Sequence, residues 1–600
     1  MQPTILPFAN AGHQTDTQSP EPQPAAPKAG AGKGMPALHP DRPRQPLLQA
    51  ARATADTSAT GGGNAALTTT TTSATTTTTT TATAPAYARP APASLASAAA
   101  TAAADDPETS RLAPHIAGGR LYLDAGRQPD TMKTLATMLA NQYRGLSRLE
   151  LQDVDAAGTA SLFDALEVNR TLAALTLWQS RVGAAGAVAL AKAISSNTTI
   201  AELSIDSAGM NPAGWAMLFT ALKDNQALTG LRVVCDVRDA TVAASLREAL
   251  QHNRTLTRLD LDDSQGGHAI AEVLEHNHTL KTLNLAGNGI DDDGASRLAC
   301  ALRVNTALAS LDLMGNHIGA QGGAALAQAL QENKTLSALF LQKNPLGQGA
   351  SALFKALRDN VALTTLCMGD TGDDCTAFLD DLAESLKGNA TLTWLELDGN
   401  GIRDAGAAVL FAALQANRSL ARLYLNHNEI GQAGAATLSE ALKAHPGLAT
   451  LDLGRNRIDD NGAILLFKAL ENNFTLTELG VGGNHIGARG LAELSRLLKV
   501  NGVLRVMSFL SDADADASTR ADRAALKENI DAGRKRNKRR MRAMPYACLS
   551  LELASGFQFP SEIMAAIIQQ MATLPPNRRE QGFATIEDLS AAIQGNPATN

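Results

Sequence analysis

One pattern recurs thirteen times between Leu146 and Asn501: a Leu-x-x-Leu-x-Leu run, a short polar link, a Gly-Ala helix start and a leucine-rich helix ending at asparagine. The plainest copy has Leu280, Leu283 and Leu285, then Asn288 and Ile290, then Ala301, Leu302 and Asn305. The closing asparagine returns at Asn169, Asn197, Asn225, Asn253, Asn277, Asn305, Asn333, Asn360, Asn389, Asn417, Asn473 and Asn501, with His445 in one slot. Its spacing is about 28 residues, and a fixed period of that size restricts the chain to a stacked solenoid. Solenoids act by presenting a long surface.

Each unit changes period halfway. Leu280, Leu283 and Leu285 alternate as a short strand, whereas Ala295, Leu298 and Leu302 form one face of a helix. A lone strand–helix pair cannot bury these groups; a stacked neighbour can, at roughly 1.5–3 kcal/mol per buried leucine. A second asparagine follows the strand at Asn288, Asn316, Asn344, Asn400, Asn428, Asn456 and Asn484. Stacked amides there can bond the backbone of their own turn and of the next repeat. Asp236, Val154, Ser180, Ala208, Ser264 and Thr371 take that slot in other copies, which predicts less regular turns. Gly294, Gly322, Gly349, Gly406, Gly434, Gly462 and Gly490 mark expected close approaches of helix and chain.

The period, the asparagine ladder and the Gly-Ala helix start resemble leucine-rich repeats of the ribonuclease-inhibitor type over residues 115–510. The resemblance implies an α/β solenoid of about 13–14 repeats, a horseshoe with a parallel sheet on its concave face and helices on its convex face. Leu121, Tyr122, Leu123 and Asn141 fall one period before Leu149 and Asn169, so residues near 115–144 read as a degenerate N-terminal cap.

The net charge of −7 excludes a global nucleic-acid signal. Five cysteines, at 235, 300, 367, 375 and 548, fit neither a disulfide framework nor a zinc spacing. The stretch from Met1 to Pro7 has no basic region followed by an apolar one, so no Sec-type leader is expected, and no apolar run is long enough to span a membrane. Eight Asn-x-Thr/Ser sequons, such as Asn277-His278-Thr279 and Asn473-Phe474-Thr475, all occupy one repeat position. They read as helix ends and strand starts, in a chain that never meets the glycosylation machinery.

Residues 1–110 are rich in Pro, Ala and Thr, with a threonine tract from Thr68 to Thr83, a composition that cannot bury a core. This segment resembles the flexible export signals of bacterial type III effectors. The resemblance implies delivery by a non-Sec route into a host cell's cytoplasm, with the nucleus open to it; the alternative location is the cytoplasm of the producing cell.

No catalytic constellation stands out, so the expected protein is not an enzyme and takes neither cofactor nor metal. Gly30 to Gly34 lacks phosphate-loop spacing, and Cys367 with Asp370 has no histidine partner. Fewer residues follow the repeats than the catalytic domain of bacterial leucine-rich-repeat ubiquitin ligases requires.

Side chains between the strand leucines face away from the core. These columns carry Glu150, Asp206, Asp260, Asp262, Asp312, Glu396, Asp398 and Asp452, with Arg232 as their one base and Trp178, Phe340, Trp394 and Tyr424 in equivalent slots. Simple solvation would mix the signs of charge. Aromatics with fixed negative charge suit a binding site for a protein with a basic surface and repel nucleic acid.

Residues 511–600 are charged and helical in pattern, with a basic run of Arg534, Lys535, Arg536, Lys538, Arg539 and Arg540. That run suits nuclear import, an anionic surface or a solvated helix end. Residues 559–571, with Phe559, Pro560, Glu562, Ile563, Ile567 and Ile568, resemble the first helix of an F-box, although Phe replaces the leading Leu and no Trp-containing second half follows. That resemblance implies an adaptor recruiting a host ubiquitin ligase; a packing helix for the C-terminal cap is the plainer reading. Similar repeats occur in the Ran GTPase activator, which implies GTPase activation, but that family ends in an acidic tail whereas this chain carries a basic run.

Overall fold

The structure, a computed structural model, describes residues 118–508 apart from short stretches (128–130, 207–208, 265–266, 373–375 and 446), with isolated positions on either side. The repeats alternate strand and helix: β1 (Arg120–Asp124), α1 (Thr131–Ala140), β2 (Arg148–Gln152), α2 (Ala156–Val168), β3 (Ala174–Trp178), α3 (Gly183–Ser196), β4 (Glu202–Ile205), α4 (Pro212–Asp224), β5 (Gly230–Val233) and α5 (Ala240–His252). They continue as β6 (Arg258–Asp260), α6 (Gly267–Leu274), β7 (Thr282–Asn284), α7 (Asp292–Val304), β8 (Ser310–Asp312), α8 (Ala320–Glu332), β9 (Ala338–Phe340), α9 (Gln348–Leu357), β10 (Thr365–Cys367) and α10 (Thr376–Gly388). The last are β11 (Trp394–Glu396), α11 (Arg403–Leu414), β12 (Arg422–Tyr424), α12 (Gln432–Ala444), β13 (Thr450–Asp452), α13 (Asp460–Ala469), β14 (Glu478–Gly480), α14 (Ala488–Val500) and β15 (Arg505–Ser508).

The fifteen strands form one parallel sheet in sequence order. Register is in phase, leucine opposite leucine, from Leu121↔Leu149 to Leu451↔Leu479, with one irregularity between β14 and β15. Strands sit ~4.8 Å apart and packed helices ~8–10 Å apart, so the two layers cannot share a radius and the sheet lines the inside of the curve. The core lies between them: Leu280, Leu283 and Leu285 of one strand and Ala295, Leu298 and Leu302 of the following helix are all fully buried. One helix slot alternates large and small, Phe354, Ala383, Phe411, Ser439, Phe467 and Ser495, all buried. Large side chains facing small ones suit close packing of neighbouring helices. After β15 the chain returns to the stack, where buried Gly533 lies against Leu498 of α14.

The closing asparagines do not end their helices in the left-handed conformation such residues often take. They are extended, with φ/ψ of −66°/136° at Asn169 and −77°/116° at Asn501. Each side chain ties two repeats instead. Asn333 Nδ2 donates to Leu302 O (2.7 Å) and Asn305 O (3.1 Å) of the repeat before, while its Oδ1 accepts the N–H of Thr335 and of Leu336. All eight sequon asparagines are buried, from 0% exposed at Asn169 to 8% at Asn473, which closes them to a glycan in the folded chain.

The turn asparagines stack as expected. Asn456 Oδ1 accepts from Asn428 N and Ile430 N, and its Nδ2 donates to Leu425 O and Leu453 O. Two of the irregular turns are better ordered than the sequence predicts: Ser180 Oγ accepts Val154 N (3.1 Å) and Ser264 Oγ accepts Cys235 N (3.2 Å). Asp236 leaves the ladder, exposed and paired with Arg238 (2.9 Å).

The glycines have a different cause from the one expected. A Cβ on Gly322, Gly434 or Gly490 would lie 2.7–2.9 Å from Oδ1 of Asp292, Asp404 or Asp460. Those carboxylates belong to the preceding helix and accept the N–H groups at the start of the next, as Asp460 does from Gly487 (2.7 Å) and Gly490 (2.8 Å). Gly319, Gly431 and Gly487 hold the N-cap positions and have no side chain to cap with, so the neighbouring repeat supplies the acceptor. Gly349 and Gly462 do answer to a backbone approach, their Cβ positions 3.0 Å from Gly323 Cα of α8 and 3.2 Å from Gln432 Cα of α12.

Candidate functional site

The exposed side of the sheet carries three rows. The first runs Arg120, Arg148, Ala174, Glu202, Gly230, Arg258 and on through Trp394, Arg422, Thr450 and Glu478 to Arg505. The second includes Glu150, Arg232, Asp260, Asn284, Asp312, Phe340, Cys367, Glu396, Tyr424 and Asp452. The third, two residues further along, holds Trp178, Asp206, Asp262, Gln342, Gly369, Asp398 and Asn426. The four aromatics therefore are not in equivalent slots: Trp394 is in the first row, Phe340 and Tyr424 in the second, Trp178 in the third. The first row, with five arginines against two glutamates, lies outside the acidic columns expected from the sequence; the face is acidic in two rows and basic along one border.

Burial on this face is uneven. Phe340 is 3% exposed, Trp394 6%, Asp260 7% and Asp262 9%. Asp312, Glu396, Asp398, Tyr424, Asp452, Asp206 and Trp178 are half-buried, and Glu150 is exposed. Side chains on the inside of a curved sheet crowd their neighbours, and charge is desolvated there.

Two groups form on this face. In the first, the Arg232 guanidinium lies 5.4 Å from the Trp178 ring centroid and 3.3 Å from Asp260, whose other oxygen accepts from Asn284 Nδ2 (2.9 Å). Arg232 Nη1 is buried without an acceptor. Beside this group Arg258 pairs with Glu202.

In the second group, Gln342 Nε2 donates to Glu396 Oε1 (3.2 Å) across the intervening strand. Gly369 opens that space, since a Cβ there would lie 3.4 Å from the same oxygen. Asp398 accepts from Asn426 N (2.7 Å) and Nδ2 (2.9 Å). Trp394 and Tyr424 pack with ring centroids 5.8 Å apart, and the Arg422 guanidinium lies 5.5 Å from the Trp394 ring centroid. Two polar atoms in this group are buried without partners, Gln342 Oε1 and Trp394 Nε1. Asp206 follows β4, next to Trp178 in the third row and remote from the second group, and Glu150 lies nearer the N-terminal end of the sheet.

Four of the acids, Asp312, Glu396, Asp398 and Asp452, hold their protons more tightly than ordinary carboxylates. Burial pushes Asp312 up to about 7, assisted by repulsion from Asp262, Asp260 and Glu396, against the Met314 N–H that holds it down. Burial likewise pushes Asp398 up to about 7, with Glu396 and Asp452 adding to it and the Asn426 side chain opposing. Burial raises Glu396 and Asp452 as well, and it raises Tyr424 to about 12. Cys367, fully buried beside Glu396, is raised well above the ordinary thiol range by burial and that carboxylate, which leaves it inert. Among the described residues no group of three or more His, Cys, Asp or Glu side chains is placed to hold a metal ion, and no helix is long and apolar enough to cross a membrane.

Gln342, Asn426, Asn284, Arg422 and Gly369 are the site residues that a search for charge and aromatics missed; their row positions were the available signal. Of the basic run only Lys535 is described, and it is exposed. Arg534, Arg536, Lys538, Arg539 and Arg540, like residues 559–571 and 1–110, lie outside the described residues.

Six stretches, residues 276–299, 304–327, 388–411, 416–439, 448–467 and 472–495, match the model of a family described as Leucine Rich repeat. No curated protein matches the chain. Among solved structures the chain is similar to the Rad7 and Elc1 complex in yeast, with 16% identity over 64% of this chain and 89% of that one and a TM-score of 0.37. It is also similar to Leiomodin-1 Actin-Binding Site 2, with 22% identity over 28% of this chain and 98% of that one and a TM-score of 0.21. The six family matches and the fifteen parallel strands alternating with helices agree: the chain carries leucine-rich repeats and folds as their α/β solenoid.

Proposed function

We propose that this chain is a non-enzymatic scaffold that grips a protein partner with a basic surface on the sheet face. The carrying observation is the second and third rows of that face, where Asp260, Asp262, Asp312, Glu396, Asp398 and Asp452 face one base, Arg232. Partly desolvated carboxylates beside Trp178, Trp394 and Tyr424 form a surface that gains from a cationic partner and repels polyanions. The composition of residues 1–110 supports a role as an effector exported by a non-Sec route to a host cell, where the basic run would serve nuclear entry.

The test is capture by the immobilised full-length chain from plant or animal cell lysate, read by mass spectrometry. The comparison bait carries Trp178→Ala, Tyr424→Ala and Asp452→Asn. A basic protein held by the first bait and lost from the second is the expected result; the same catch from both rejects the sheet face as the binding surface. The F-box-like pattern at 559–571 favours a second reading, an adaptor for a ubiquitin ligase. It requires binding to the ligase's small adaptor subunit that Ile563→Asp abolishes.

A further inference from the structure

The group on β9 to β12 has an incomplete set of hydrogen bonds. Gln342 is 4% exposed; its amide nitrogen holds Glu396, but its oxygen has no donor. A buried acceptor left unmade costs about 1–3 kcal/mol, and the carboxylates of this group are themselves acceptors. Glu396 accepts from Gln342, and Asp398 accepts twice from Asn426. What the group lacks is a donor with several N–H groups and positive charge.

The aromatic pair narrows the choice. Arg422 already lies over the Trp394 ring, so this ring holds a guanidinium in the native fold. Trp394 Nε1 is buried without an acceptor, two residues before Glu396 on the same side of β11. A peptide arginine brings both missing functions, a fork of five N–H donors on its side chain and a carbonyl on its main chain. A lysine ammonium is a compact point charge and does not match the spread of planar acceptors.

We propose that Gln342, Glu396 and Asp398, bordered by Trp394 and Tyr424, seat one arginine side chain of the partner protein. The proposal rests on the reading of the sheet face as the partner-binding surface. Glu396 receives the guanidinium fork, Gln342 orients that carboxylate and offers its own oxygen, and Gly369 keeps the space between them open.

The experiment is calorimetric titration of the full-length chain at pH 8 with hexa-arginine and with hexa-lysine peptides. The variants are Glu396→Gln, Gln342→Leu and, remote on the same face, Asp206→Asn. The expected result is tighter binding of hexa-arginine, weakened about tenfold or more by Glu396→Gln and weakened by Gln342→Leu, with Asp206→Asn near the parent. Equal affinity for the two peptides, lowered alike by Glu396→Gln and Asp206→Asn, overturns the arginine seat and leaves the acidic face as a general attractor. No binding of either peptide overturns both the seat and the basic-partner reading. Unchanged melting temperatures for the variants exclude misfolding as the cause of a loss, and Gln342→Leu tests the seat independently if Glu396→Gln alone shifts the fold.

Discussion

In the turn after β3, Ser180 accepts one backbone N–H from the repeat before and returns its proton to Trp178 of its own turn. In the turn after β12, Asn428 accepts two N–H groups from the repeat before, from Asn400 and Ile402, and donates back to Leu397 O of that same repeat. The helix starts differ in the same direction. Asp155, Asn211 and Asp239 cap their own helices α2, α4 and α5, whereas in the later repeats the local caps Asp291 and Asp459 are joined by Asp292, Asp404 and Asp460, which cap the helices that follow. The N-terminal repeats compensate with longer strands, five residues in β1 to β3 against three in β6 to β14. One leucine pattern thus supports two kinds of joint, one made of sheet ladder and local caps, the other of side chains that cross repeat boundaries. Crossing bonds raise the interface contribution between units relative to the stability within each.

The largest expected effect tests the packing under those joints. Phe411→Ala, in the alternating large–small slot of the C-terminal helices, should cost about 3–5 kcal/mol in denaturant unfolding; a loss under about 1 kcal/mol would mean the helices close over the cavity. Next comes the joint itself. Asn428→Ala strands backbone groups in two repeats and should cost about 3 kcal/mol, against about 1 kcal/mol for Ser180→Ala. Equal costs would erase the distinction between the two halves. Asp460→Ala should cost about 1–2 kcal/mol, and native-state hydrogen exchange should then show faster exchange at the start of α14, the neighbour's helix, with the start of α13 held by its own cap Asp459. Loss confined to α13 would refute the donated cap.

Proton linkage sharpens the comparison on the sheet face. Asp312 and Asp398 have folded values raised to about 7 from an unfolded 3.8, so the folded state binds more protons in that window and stability falls as pH rises through it. Asp312→Asn should raise the melting temperature at pH 8 and leave it little changed below pH 4; a gain that is uniform with pH would place the effect elsewhere. The smallest effect concerns the one break in the closing ladder. His445 Nδ1 accepts from Gly447 N and Leu448 N, as an asparagine oxygen would, but its buried Nε2 has no partner. Burial, with the Arg418 charge, depresses it to about 4 from 6.5, so its contribution to stability is lost as pH falls from 6.5 towards 4. His445→Asn should stabilise by about 1 kcal/mol and flatten that acid limb, a result read from melting curves at pH 5 and pH 7.

The elements that repeat within one unit were legible in the amino-acid pattern. Strand and helix, the apolar faces and the asparagine slots follow from periods of two and 3.6 residues inside a 28-residue frame, and the columns of the sheet face follow from alternation along each strand. What depends on the neighbour one period away was not legible there. Only stacking shows that Asp460 caps the next helix, that Gly490 makes room for it, that Gln342 reaches Glu396 across β10, and that Phe340 and Trp394 are buried where alternation alone would place them in solvent. The physical reason is the lateral spacing of the layers: at ~4.8 Å between strands, side chains on the inner face displace one another's water. Burial, protonation and orphaned hydrogen bonds there are properties of the stack, which no single repeat contains.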